Sequence, residues 1–229
     1  RKDSQGICFV GKVHLPTFLQ QKLKARKGKV IEIPAGFSRT EWEAGYPDDS
    51  TGDEYLIEAS EPYHFGYASG RVIGEHDGAH FYTTGQRKGI NIGGYREPLF
   101  VLGTDISENI LFAGEGQSHP GLYRKGLFVR NDEIHWVRRD LEMKKGETRE
   151  CDDRIRYRQP LQKAKLFRRE NGIYVIFNTM QRGITAGQFA AWYQNDKLVG
   201  SGVKKKKKKK NPRITSRKKL ITMKTKQSS

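Results

Sequence analysis

From Arg71 onward the chain breaks into short runs of β-branched and aromatic residues, with Gly, Asn and Asp clustered between them. That pattern leaves little room for anything but a β fold. The runs are His80–Thr84, Leu99–Leu102, Ile110–Ala113, Gly126–Val129, Glu133–Arg138, Arg154–Arg158, Gln162–Arg168, Ile173–Phe177, Phe189–Tyr193 and Lys197–Ser201. Arg169-Glu-Asn-Gly172 and Gln194-Asn-Asp196 have the composition of hairpin turns. So many short strands at close spacing predict a barrel rather than alternating β–α units. The expected fold is mainly β, with a small central β domain over residues 28–121 and a C-terminal β-barrel over residues 122–203. One short helix is expected near the start, over residues 15–24, where Pro16 suits a first turn and Phe18, Leu19 and Leu23 share a face. Residues 37–66 hold eight acidic residues and one basic residue and read as an irregular surface excursion.

The net charge of +17 is unevenly spread. Residues 204–229 carry thirteen Lys and Arg and no acid, which leaves 30 basic against 26 acidic groups in the first 203 residues. The tail is expected to be disordered and to bind polyanions without selectivity. It is either a basic arm or the product of a slipped reading frame. No apolar run reaches membrane-spanning length, so a soluble, cytoplasmic protein with no membrane partner is expected. The only two cysteines, Cys8 and Cys151, do not make a disulfide framework.

Cys8 sits in Gly6-Ile-Cys-Phe-Val10 with Arg1, Lys2 and Lys12 nearby. Glycine access and positive charge suit a reactive thiolate, and a small buried cysteine in a strand fits the same residues. Thr83-Thr-Gly-Gln-Arg-Lys-Gly89 with Ile90-Asn-Ile-Gly-Gly94 is the densest polar, glycine-rich stretch. It lets a backbone approach a ligand and offers Arg87 and Lys88 to phosphate, or it is a tight turn with solvated charges. It is not a Walker loop. Asp153-Arg-Ile-Arg-Tyr-Arg-Gln159 places three arginines on one strand face and Tyr157 on the other. That suits an RNA backbone and a stacked base, or an edge strand kept soluble by charge. The six histidines show no paired metal-ligand spacing, and no metal site is expected.

Taken in order, Asp3-Ser-Gln-Gly-Ile-Cys-Phe-Val-Gly11, His76-Asp-Gly78, Thr84-Gly-Gln-Arg-Lys-Gly89, Ile92-Gly-Gly94, His119-Pro120, His135-Trp136, Arg156-Tyr-Arg-Gln159 and Ala186-Gly-Gln188 closely resemble the tRNA-specific 2-thiouridylase family. The resemblance covers most of residues 1–203. It departs from the family in the long acidic insertion, in the lysine tail and at the front. It implies adenylation of the C2 oxygen of the wobble uridine, followed by sulfur delivery from a cysteine persulfide, after which two cysteines can end as a disulfide. Cys8 matches the persulfide cysteine, placing a catalytic segment in residues 1–27, and Cys151 matches no catalytic position. The family's tRNA contacts fall on Arg156, Tyr157 and Gln188, with Gln86, Arg87 and Lys88 as weaker candidates. ATP is the implied cofactor, bound by an N-terminal domain whose Ser-Gly-Gly-x-Asp-Ser loop is not among these residues. The chain is therefore expected to be a C-terminal portion, inactive alone, with tRNA and a cysteine desulfurase relay as partners. The alternative is a tRNA-binding module without catalysis.

Overall fold

The computed structural model describes residues 25–37, 51–156 and 159–204. The expected helix over 15–24, Cys8, Tyr157 and the tail from Lys205 lie outside them.

A four-stranded sheet is built from β1 (Gly28–Glu32), β2 (Arg71–His76), β3 (Leu99–Asp105) and β4 (Ile110–Glu115), in the order β2-β1-β4-β3. β1 runs parallel to β4, and the other pairs are antiparallel. Alternation along β1 sends Val30 to a core with Ile90, Val101 and Leu111, and Ile31 to a core with Leu102, Phe112 and Leu122. His119 pins the end of this sheet. Its Nδ1 accepts from the Gly121 N–H at 3.1 Å, so Nε2 carries the proton and donates to the Ile33 carbonyl at 3.0 Å.

The second unit is a closed six-stranded barrel of β5 (Tyr123–Trp136), β6 (Thr148–Arg154), β7 (Gln162–Arg169), β8 (Gly172–Arg182), β9 (Phe189–Gln194) and β10 (Lys197–Lys204), ordered β10-β5-β8-β7-β6-β9. The inward residues Leu127, Val129, Leu166, Ile173, Val175, Phe177 and Trp192 fill it. The run Ile173-Tyr-Val-Ile-Phe177 does not alternate with polar residues because both faces of β8 are buried. Its outward Tyr174 and Ile176, with Phe128 and Phe167, lie under helix α1 (Asp53–Ser60) through Tyr55, Leu56 and Ala59. Asp53 and Glu54 favour the helix start, and Pro62 follows its end.

Five expectations change. Part of the acidic stretch expected to be irregular is α1, whose apolar stripe covers the barrel. The runs at 126–129 and 133–138 are one strand, β5, which pairs with β8 and then with β10. His80–Thr84 is not a strand. Ala79–Phe81 forms one 3-10 turn, and Gly85 N–H then bonds the Val101 carbonyl at 2.7 Å. β6 ends at Arg154, and the Gln159 N–H bonds the Arg156 carbonyl at 3.0 Å, so the strand expected over 154–158 does not continue past Arg154. β10 continues one residue past the expected boundary, and Lys204 is buried.

Candidate nucleic-acid interface at the barrel rim

Where β6 and β10 end and β5 begins, the loop over 183–188 closes one rim of the barrel. Arg156 is exposed there and anchors itself by donating from Nη2 to the Gly183 carbonyl at 3.0 Å. Gly183 has φ +67° and already lies against this guanidinium. A Cβ at this position would sit 2.2 Å from Arg156 Nη2, so glycine serves both the turn and the close approach. Gln188 is bound at the opposite side of the loop. Its carbonyl accepts from the Lys204 N–H at 2.9 Å, and its Oε1 accepts from Lys204 Nζ at 3.3 Å. The same ammonium donates to the Ile155 carbonyl at 3.1 Å, one residue before Arg156. One buried lysine therefore ties together the two loops that carry Arg156 and Gln188. Arg124 adds a third cation, bonding the Ile184 carbonyl and, at 3.4 Å, the carbonyl of Ser60 at the end of α1.

The electrostatics follow from burial. Lys204 is pushed down to about 8, first by burial and further by Arg156 and Arg124, while Asp153 pulls it back up. Asp153 has no solvent exposure and neither carboxyl oxygen has a hydrogen-bond partner. Burial pushes its pKa up to about 8, with Lys204 opposing. At neutral pH the rim holds a neutral Asp153 beneath three cations. Gln188 keeps its amide N–H donors for a ligand, because Lys204 occupies its oxygen. Arg156 keeps the donors that Gly183 does not engage. These groups can hold an anionic, hydrogen-bonding surface.

Among the described residues no reactive group stands beside them. Cys151 faces the barrel core, and burial, then Asp153 and Asp152, push its thiol far above the usual range. That makes it a poor nucleophile. Among the described residues no cluster of His, Cys, Asp and Glu is arranged to hold a metal. His76 is buried, its Nδ1 accepts from the Gly78 N–H, and burial lowers its pKa.

The weaker candidates lie elsewhere, in the loop over the four-stranded sheet. Gln86 is consumed by that loop: its Oε1 accepts from the Thr83 N–H at 3.2 Å and its Nε2 donates to the Lys88 carbonyl at 2.7 Å. Arg87 and Lys88 are exposed. None of the three is hydrogen-bonded to Arg156 or Gln188. Sequence reasoning missed Arg124, Asp153, Gly183 and Lys204. The last was hidden as the first of seven identical lysines.

Residues 54–115 match a family model described as a tRNA methyl transferase PRC-barrel domain, and residues 127–203 match one described as an aminomethyltransferase beta-barrel domain. A protein of Christiangramia forsetii named tRNA-specific 2-thiouridylase MnmA is 52% identical over 204 residues, which is 89% of this chain and 51% of that protein. Proteins of the same name from Flavobacterium johnsoniae and Halalkalibacterium halodurans are 51% and 36% identical, over 89% and 88% of this chain and 51% and 44% of theirs. The chain belongs to the tRNA-specific 2-thiouridylase family. It spans about half the length of the curated relatives it matches. For a member of this family the rim cations stand on the barrel that the second model covers. No helix among the described residues is long and apolar enough to cross a membrane.

Proposed function

We propose that this chain serves the transfer of sulfur to C2 of the wobble uridine of tRNA, with the barrel rim holding the tRNA and Cys8 carrying the sulfur as a persulfide. The observation that carries the reading is the convergence of Arg124, Arg156 and Lys204 around Gln188 on a barrel whose relatives are named for tRNA thiolation. Arg156 and Gln188 are the contacts. Lys204 orients both, and Tyr157, outside the described residues, is the third contact by its place beside Arg156. Cys8 is assigned by its Gly-Ile-Cys-Phe-Val setting, where a thiolate can accept sulfane sulfur and pass it on. A second thiol that resolves the intermediate leaves a disulfide.

The one helix of more than a single turn among the described residues opens on Asp53 and Glu54, two carboxylates where a nucleotide phosphate would need N–H groups and positive charge. The ATP dependence that the family resemblance implies rests on other residues. Localisation in the cytoplasm is the compartment this substrate requires.

Two measurements test the reading. The paired change Arg156→Ala with Gln188→Ala is expected to weaken tRNA binding at moderate salt about tenfold or more, and unchanged affinity would refute the rim. Intact-mass analysis after exposure to a cysteine desulfurase is expected to find one reductant-sensitive sulfur adduct, lost in Cys8→Ser and kept in Cys151→Ser. tRNA binding without any adduct on Cys8 would leave a binding module and remove the sulfur-carrying role.

A further inference from the structure

The barrel exterior is unevenly covered. α1 buries the outer faces of β5, β7 and β8, while the outer face of β6, β9 and β10 carries no helix among the described residues. Alternation along β9 turns Ala190 and Trp192 inward and Phe189, Ala191 and Tyr193 outward. Phe189 is 64% exposed, an unusual state for a phenylalanine in a paired strand. It lies opposite Val203 of β10, from which the sequence runs into seven lysines. On the neighbouring strand Arg154 faces Ala191, and its guanidinium lies 5.7 Å from the Tyr193 ring. Exposed Arg156 follows where β6 ends. Among the described residues, Asp152 on this face is paired with Lys163 at 2.9 Å, Glu150 faces Lys165 at 3.9 Å, and Asp196 stands at the far β9–β10 turn.

We propose that this face is a stacking platform for an unpaired nucleotide of the bound RNA, with Phe189 as the residue on which the base lies. The proposal rests on the tRNA reading above and adds a surface to it. An exposed ring that directly follows Gln188, on the strand that leaves the rim carrying Arg156, has the composition of single-strand nucleic-acid sites, where a ring takes the base and nearby cations take the flanking phosphates. A protein partner fits less well. Phe189 and Leu198 are the only large apolar side chains exposed on this face among the described residues, whereas a stable protein interface buries about 800 Å² per partner around a packed apolar centre. Phe189 is a stacking residue, whereas Arg156 and Gln188 are hydrogen-bonding ones, and this difference separates the two in experiment.

The test uses the full chain and an unmodified tRNA transcript, with anisotropy titrations across a range of salt. Phe189→Ala is expected to weaken binding about tenfold at every salt concentration without changing the slope of log affinity against log salt, because stacking releases no counterions. Phe189→Trp is expected to keep the affinity, with a new tryptophan emission that the RNA quenches. Wild-type affinity in Phe189→Ala, while the Arg156 and Gln188 pair is weakened, would overturn the platform and leave the tRNA reading standing. Wild-type affinity in all these variants would overturn both. Unchanged RNA binding with a change in molecular mass by light scattering would reassign the face to a protein contact.

Discussion

Replacing Asp153 tests the electrostatic account of the rim. The carboxyl is fully buried without a hydrogen-bond partner, and its pKa rises from 3.8 to about 8 on folding. A carboxyl raised in this way contributes stability below its unfolded pKa and loses it as pH climbs through the folded value. At neutral pH the unfolded chain ionises Asp153 and the folded protein does not, which opposes folding by ~4 kcal/mol. Asn keeps the shape and cannot ionise, though its buried amide leaves N–H groups unpaired at a cost of ~2 kcal/mol. Asp153→Asn is therefore expected to stabilise the protein by ~2 kcal/mol at neutral pH. Urea unfolding followed by the fluorescence of Trp136 and Trp192 measures this. Relative to wild type, the variant's advantage should rise by ~2–3 kcal/mol from about pH 5 to about pH 7, from near zero to that ~2 kcal/mol, and the histidine contributions cancel in the difference. Asp153 is already uncharged in the folded protein at neutral pH, so the same variant is expected to keep tRNA affinity close to that of wild type. A variant that is less stable than wild type by a margin independent of pH would refute the reasoning. It would mean an ionised Asp153 paired with Lys204, whose disruption costs ~3–5 kcal/mol.

Gly183→Ala forces a left-handed backbone on a residue with a Cβ and pushes that Cβ into Arg156. The expected result is a loss of ~1–2 kcal/mol in stability with a several-fold loss of tRNA affinity, read by thermal melting and titration. Leu56→Ala removes the fully buried centre of α1 and should cost ~2–4 kcal/mol in urea unfolding, with earlier proteolysis between Thr51 and Glu61. His119 is held neutral because burial lowers its pKa, so stability should fall as pH drops below about 6.5. His119→Phe should remove part of that slope while costing ~2–4 kcal/mol at neutral pH, as the Ile33 carbonyl and Gly121 N–H lose their partner. Deleting residues 205–229 should flatten the salt dependence of tRNA binding yet keep its sensitivity to Arg156→Ala, because Lys204 and the rim remain. Complete loss of binding on that deletion would assign the affinity to the tail.

The β character of the chain was legible because its strands are short, apolar and bounded by turn residues. The Asn195-Asp196 turn behaves as its composition demands, both residues taking the left-handed conformation of a tight hairpin. Period-two reasoning failed where a strand end depends on distant partners. His80–Thr84 has strand composition, yet Gly78 and Gly85 hold positive φ at either side and Val101 bonds the loop instead of a neighbouring strand. Arg154–Arg158 alternates in sequence, but β9 pairs with β6 no further than Arg154. Helix α1 was masked by its acids, because only Tyr55, Leu56 and Ala59 reveal its buried face. At the rim, Arg156 and Gln188 were found through family resemblance. The residues that set their geometry were not: Lys204 looks like any other lysine of its run, and Asp153 like any other carboxylate of an acidic strand.

Those two residues depart from the rules that the rest of the barrel obeys. The barrel interior is otherwise filled mainly by apolar side chains, whereas here a carboxyl without a hydrogen-bond partner and an ammonium lie together inside the rim. Such a pair weakens a core that Leu or Met would fill better. It is retained at the one place where two loops must be held in register for exposed donors. Lys204 reaches Ile155 on one loop and Gln188 on the other from its buried place beside Asp153. An apolar residue there would give a firmer barrel and leave both loops untied. Local cost concentrated where hydrogen-bond donors converge is the expected mark of a binding site. On this account Asp153→Asn should raise stability and leave RNA affinity in place at neutral pH, whereas breaking an ionised pair would lower both together.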